Sequence, residues 1–246
     1  MKWNETLSDY EQLGEPMFSD NNGDGFGYTL ALSGDANNRV IAVWAIGSPS
    51  AQQHQRILKV YAWDADSLVY KQQGSPINGD TPNDKFGWSC SLSSGGKYLA
   101  VGALLDVSGG SSFDDSTITT AGQVKAYMWE GTQYKQVGDA LYGDRNKDNF
   151  GASIFISVDG KILVVGAPQN DSNGAQSGQV KLFKLNDSGS NYTLFGELLL
   201  GERSSNYFGG PIAIAGDSKS FAVGAVGNGK EGDFSGQLQI FLIPSS

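Results

Sequence analysis

Three oxygen-bearing side chains, Asp20, Asn22 and Asp24, stand at alternate positions in the stretch DNNGDGFG, with Gly25 behind them. That spacing opens the D-x-[DN]-x-[DN]-G pattern of a calcium loop. A full loop of that kind ends on a bidentate Glu at its twelfth position, which here is Ala31. Two further stretches place acids four apart: Asp80/Asp84 in GDTPNDK and Asp144/Asp148 in GDRNKDN. Each pair could set two oxygens on one Ca2+, with backbone carbonyls and water completing the shell. Equally, short Asp and Asn side chains accept nearby backbone N–H bonds and so cap turns. Turn-setting is the first expectation and calcium the second. Calcium is best placed at Asp20, Asn22 and Asp24, where Asn22 adds a third oxygen and Gly25 permits a tight bend.

Other chemistries are poorly supplied. The 246 residues contain one histidine, His54, which removes most zinc sites and most Ser-His-Asp or Cys-His mechanisms. The one cysteine, Cys90, rules out an internal disulfide framework and reads as a small core residue with no activating partner. A net charge of −9 argues against nucleic acid, whose phosphates need clustered Lys and Arg. No apolar run approaches the length of a membrane span, so membrane insertion is not expected. The N-terminal MKWNETLSDYEQ lacks the apolar core of a signal peptide.

The elements that must position the acids follow from an internal repeat. FG occurs at Phe26, Phe86, Phe150 and Phe208, at spacings of 60, 64 and 58 residues. A tyrosine lies 16 residues before each: Tyr10, Tyr70, Tyr134 and Tyr192. Each unit then runs through a short alternating segment (FGASIFIS), an apolar one (ILVVGAP) and a third (GQVKLFKL), with Gly, Asp and Asn in the joints. None has helical periodicity. In the second unit the alternation sets Phe86, Trp88, Cys90 and Leu92 on one apolar face.

Four-stranded units in series, each burying a face against the next, specify an all-β β-propeller of four blades with four antiparallel strands each. The units span about 10–64, 70–130, 134–186 and 192–246 of a single 1–246 domain. Trp3 and Tyr10 repeat the spacing of Trp63 and Tyr70, and the chain ends on GQLQIFLIPSS, a third strand without its fourth. Residues 1–18 are therefore expected to supply that strand and close the ring.

The segment FGASIFISVDGKILVVGAPQN carries both FG and GAP (Gly166, Ala167, Pro168), with weaker copies in the other units. On these motifs the whole chain resembles FG-GAP repeat proteins, the blade family of the integrin α-subunit propeller. The first copy departs most, with Trp44 where the others have Gly102, Gly166 and Gly224. The resemblance implies an extracellular or cell-surface recognition module, often adhesive. The family's calcium loops lie inside blades, where this chain has only short turns such as SVDGK, so those sites do not carry over.

In a propeller the joints between blades and the loops from second to third strand share one face. Those segments hold 13 of the 26 acids and only 5 of the 17 bases, leaving −8 of the −9 on that side. The acids include Asp80, Asp84, Asp106, Asp114, Asp115, Asp144, Asp148, Asp171 and Asp233, and such clustering attracts cations or basic partners. The expected function is a non-catalytic recognition or adhesion module presenting this acidic face to a protein or glycan partner, with Ca2+ as the candidate assisting cation. A structural spacer in a larger surface protein is the alternative, and a polysaccharide-acting enzyme a more distant one. Trp63 and Trp129 read as packing residues.

Overall fold

The computed structural model describes residues 2–4, 9–19, 22–46, 56–81, 84–104, 121–232 and 234–243. Among these residues all regular structure is β-strand, apart from one short 3-10 turn at Ser94–Gly96. A hairpin of β1 (Lys2–Asn4) and β2 (Asp9–Glu11) opens the chain. The first sheet is β3 (Leu30–Leu32), β4 (Val40–Ile46), β5 (Arg56–Asp64), β6 (Val69–Gln72) and β7 (Ile77–Asn78). The second is β8 (Phe86–Leu92), β9 (Tyr98–Ala103), β10 (Gln123–Trp129), β11 (Tyr134–Gln136) and β12 (Leu141–Tyr142). The third is β13 (Ser153–Ile156), β14 (Ile162–Ala167), β15 (Gln179–Leu185), β16 (Tyr192–Leu194) and β17 (Leu199–Leu200). The fourth is β18 (Phe208–Ile214), β19 (Ser220–Ala225) and β20 (Gln237–Leu242).

Each sheet is an antiparallel meander, and in the first three the outer strand is split into two pieces that both pair with the third strand. The repeat of sequence is a repeat of register. Trp44 stands opposite Leu58, Gly102 opposite Val124, Gly166 opposite Val180 and Gly224 opposite Leu238. The hairpins between first and second strands are pinned by a serine hydroxyl, which accepts the N–H of Val40, Tyr98 or Ile162 at 2.8–2.9 Å. The tyrosines that mark the repeat open the outer strands. Tyr134 Oη donates to the Gly96 carbonyl and Tyr192 Oη to that of Gly160, which ties each outer strand to its own sheet's first hairpin.

Successive sheets stack with their first strands side by side: β3 on β8, β8 on β13, β13 on β18. Each junction encloses its own core. Val40, Ala42, Leu58 and Val60 of the first sheet receive Phe86, Leu99 and Tyr127 of the second. Ala100, Val124 and Ala126 receive Phe150, Leu163 and Phe183, and Val164, Val180 and Leu182 receive Phe208, Phe221 and Phe241. Phe86, Phe150 and Phe208 are among the largest fully buried side chains. Each contributes about 1.5–3 kcal/mol by leaving water, which explains why the Phe of FG recurs.

Its glycine recurs for a conformational reason. Gly27, Gly87, Gly151 and Gly209 all have φ between +78° and +92°, where a side chain is strained. The ladder slips at this point: Phe86 pairs with Ala103, but the next pairing is Ser89 with Gly102. The bulge corrects the alternation expected from sequence. Trp88 leaves the apolar face and is 39% exposed, while Phe86 stays buried at 1% and Cys90 packs against the core.

The expected closure by the N-terminal strand is not seen among the described residues, where β20 pairs with β19 and β2 with β1. Two contacts hold β2 elsewhere. Its edge is taken by β1, with Trp3 opposite Tyr10. The chain after it runs over the first sheet, where Gly14 sits so near the Trp63 ring that a Cβ would lie 2.8 Å from it.

Candidate functional site

The joints between sheets and the loops from second to third strand meet at one end. Gln169 N–H donates to the Asp148 carbonyl (3.2 Å), and Gly227 N–H to that of Asn206 (3.1 Å). The acids at this end divide into two kinds, and the division separates the pairs read from spacing.

The acid two residues before each FG turns inward. Asp24, Asp84 and Asp148 are buried, and the fourth sheet has buried Asn206 at this place. Asp84 accepts the N–H of Thr81 on Oδ2 (3.2 Å) and of Phe86 on Oδ1 (2.8 Å). Asp148 Oδ2 accepts from Asp144 N (3.1 Å), Arg145 N (3.0 Å) and Asn170 Nδ2 (2.8 Å). Asp24 accepts Phe26 N–H on Oδ1 (3.1 Å) and the Ser19 hydroxyl on Oδ2. Burial raises the pKa of Asp84 and Asp148 above the ordinary carboxyl range, and their hydrogen bonds offset part of that rise.

The acid four residues earlier points outward and meets a cation on the third strand. Asp80 pairs with Lys125 and accepts from Gln123 Nε2 (3.3 Å), and Asp144 pairs with Lys181 at 2.5 Å. In the fourth sheet Glu202 faces glutamines instead, accepting from Gln237 (3.1 Å) and Gln239 (3.2 Å). The two members of Asp80/Asp84 and Asp144/Asp148 therefore serve different partners. Asp84 and Asp148 are corrected from surface groups of the acidic face to internal turn acceptors.

Asp171 is exposed and accepts Gln176 N–H at 2.7 Å. Asn22 is exposed. Asp20, Asp106, Asp114, Asp115, Asp233 and His54 lie outside the described residues. Among the described residues no three His, Cys, Asp or Glu side chains gather as a metal site. Burial pushes the Cys90 thiol up to about 12.

A second group of residues at the same end was missed in sequence. The side chain after FG is Tyr28 in the first copy and Trp88 in the second, against Ala152 and Gly210 in the others. Both turn outward, with ring centroids 6.4 Å apart; Tyr28 is 70% exposed. Beneath them lies buried Trp44, 5.5 Å from the Tyr28 ring. Its Nε1 donates to the Phe86 carbonyl at 2.7 Å, locking the indole. A Cβ on Gly87 would fall 2.1 Å from it, so Trp44 fills the junction completely. Arg56 stands 5.5 Å over the Trp44 ring and Lys85 5.6 Å over that of Trp88. The surface is an aromatic ledge on a rigid base, flanked by two cations and bordered by the acidic joints. Such a ledge can stack a flat apolar or sugar face, and its cations can hold an anionic group. The signal available in sequence was the departure of Tyr28, Trp44 and Trp88 from the small residues of the later copies.

No family model matches the chain, and no curated protein matches it. Solved structures do. A "putative 6-phosphogluconolactonase" from Bacteroides uniformis aligns with TM-score 0.50 at 11% identity, over 80% of this chain and 46% of that one. The β-propeller domain of the Trilobed protease from Pyrococcus furiosus, with an open velcro topology, aligns at 0.47 and 8%, over 89% and 55%. The Dos1 propeller aligns at 0.37 and 9%, over 81% and 53%. The chain thus spans about half the length of the structures it matches. The expectation that it is not an enzyme does not stand, because a fold of this kind occurs in that lactonase. The likeness at this identity concerns fold alone. The described chain is all-β, built of three consecutive antiparallel four-strand sheets and a three-stranded fourth, and is similar to β-propeller domains.

Proposed function

We propose that this chain is a recognition module of the FG-GAP repeat type, displayed outside the cell or at its surface, and that it binds a glycan on the Tyr28–Trp88 ledge. The observation that carries the reading is the pair of touching, solvent-exposed rings, held from below by a hydrogen-bonded Trp44. Large exposed aromatics side by side are unusual on a surface with no partner. Sugars offer apolar C–H faces that stack on such rings, and pre-set rings lose little entropy on binding. Lys85 and Arg56 favour a glycan bearing carboxylate or sulfate.

The experiment is a tryptophan-fluorescence titration against neutral and anionic polysaccharides, after a glycan array has chosen them. Trp88→Ala and Tyr28→Ala are each expected to weaken binding about tenfold, or about 1.4 kcal/mol, without lowering the melting temperature. Silence across the array, or binding indifferent to both substitutions, refutes the reading.

A further inference from the structure

We propose that the outward face of the fourth sheet and the outward face of the first are two halves of one interface, and that a second copy of this chain, bound head to tail, joins them. The fourth sheet repeats the docking face of the third, residue for residue. In the third sheet Val180 lies opposite Gly166 and Leu182 opposite Val164, and both are buried under Phe208, Phe221 and Phe241. In the fourth, Leu238 lies opposite Gly224 and Ile240 opposite Ala222. These two are 67% and 71% exposed, a socket without its occupant.

The first sheet repeats the inserting face. Phe26 meets Tyr61 edge-on at 6.3 Å and 89°, as Phe150 meets Phe183 (6.1 Å, 78°) and Phe208 meets Phe241 (6.2 Å, 77°). Leu30 and Leu32 stand where the third sheet buries Ile154 and Ile156, yet they are 63% and 59% exposed. The same apolar junction recurs three times among the described sheets, and its two exposed halves lie on the first and the fourth of them. A contact that joins different patches of identical copies is heterologous, and it satisfies both faces only when copies follow one another.

A third feature fits the same occupant. Among the described residues the fourth sheet has three strands and no outer one. The segment after β2 already holds the position of one, in front of the first sheet. A Cβ on Gly14 would lie 2.8 Å from Trp63, as one on Gly74 would lie 3.0 Å from Trp129. Gln12 Nε2 donates to the Gly14 carbonyl (2.8 Å), as Gln72 does to that of Gly74 (2.9 Å) and Gln136 to that of Gly138 (2.9 Å). A partner's three-stranded sheet seated on Leu30 and Leu32 would therefore find its outer strand waiting, once β1 has yielded the edge of β2. Strand addition of this kind combines backbone hydrogen bonds with side-chain pockets.

Sedimentation of the full chain at micromolar concentration tests the proposal. The wild type is expected at twice the chain mass or more, and Ile240→Asp and Leu30→Asp each at the mass of one chain. Mixing those two variants is expected to restore association, because each keeps the half that the other has lost. Should either variant prove unfolded by circular dichroism, Leu238→Glu and Leu32→Glu test the same faces. A wild type at the mass of one chain overturns the proposal, whether it stays open or closes on itself. So does a mixture of folded variants that remains at one-chain mass.

Discussion

Asp84 and Asp148 hold equivalent places, and Asn206 shows that an amide can occupy that place in the same chain. Replacing each by Asn separates turn-setting from charge. Asp84 uses both oxygens, one for Thr81 N–H and one for Phe86 N–H. An amide keeps one acceptor and turns an N–H towards the other donor, so Asp84→Asn leaves a buried N–H unsatisfied. That costs about 1–3 kcal/mol, a large share of the roughly 5–15 kcal/mol that holds a domain folded. Asp148 gathers its three donors on Oδ2, which an amide oxygen replaces directly. Asp148→Asn is expected within about 1 kcal/mol of the wild type, because losing charge-assisted bonds is offset by losing a buried charge. Urea titrations at neutral pH measure both.

The pH dependence supplies a second check on the same pair. Burial raises both carboxyls above their ordinary value of 3.8 in the folded chain. Between 3.8 and that raised value the folded state holds protons that the unfolded state has released. Stability from these groups therefore grows as pH falls through the window and is level above and below it. The Asn variants lack this term, so the gap between wild type and variant should widen on acidification. A gap that narrows would mark carboxyls stabilised as anions, as ion ligands are. That outcome, or an Asp148→Asn as costly as Asp84→Asn, refutes the turn-acceptor account.

The FG glycines separate backbone strain from crowding. Gly27 has φ +92° and nothing within 4 Å of its would-be Cβ, so Gly27→Ala should cost about 1–2 kcal/mol from the left-handed backbone alone. Gly151 adds Val124 Cγ2 at 2.9 Å and the Gln123 carbonyl at 3.0 Å, so Gly151→Ala should cost at least about 1 kcal/mol more; equal melting temperatures for the two would sink the distinction. Cys90, with its thiol pushed up to about 12, should resist a thiol reagent at pH 8 in the native chain and react at once in urea. Native labelling as fast as unfolded labelling would show the site open.

Much of the architecture was legible because the chain contains its own alignment. Recurrence of Phe-Gly reports a demand of the fold: Phe fills the junction and Gly adopts the positive φ of the bulge. The four-strand unit and the register followed from that recurrence. What alternation alone got wrong is Trp88, because a bulge inserts residues that a strict period of two does not count. Spacing also read Asp80/Asp84 and Asp144/Asp148 as convergent, whereas the turn that the inner acid caps sends the two carboxylates in opposite directions. Ring closure was less legible. The spacing of Trp3 and Tyr10 identifies a hairpin, but not which sheet it completes.

The differences among copies carry the remaining information. Asp80 faces Lys125 and Asp144 faces Lys181, while Glu202 faces Gln239 at the equivalent place, so acid and partner change together and serve the sheet. Tyr28 and Trp88 change as well: small Ala152 and Gly210 follow the same positive-φ glycine in the later sheets. The later sheets fold without a large side chain at this place, and the outer faces of the two rings are left to solvent. Trp44 sharpens the point, since the glycines at its place are forced by close approach; a Cβ on Gly166 would meet the Gly209 carbonyl at 2.0 Å. Seating an indole there instead has required the first junction to be built differently from the other two. The junction that departs from the repeat lies under the only pair of contacting exposed aromatics among the described residues, and there binding should be lost first when Trp88 is removed.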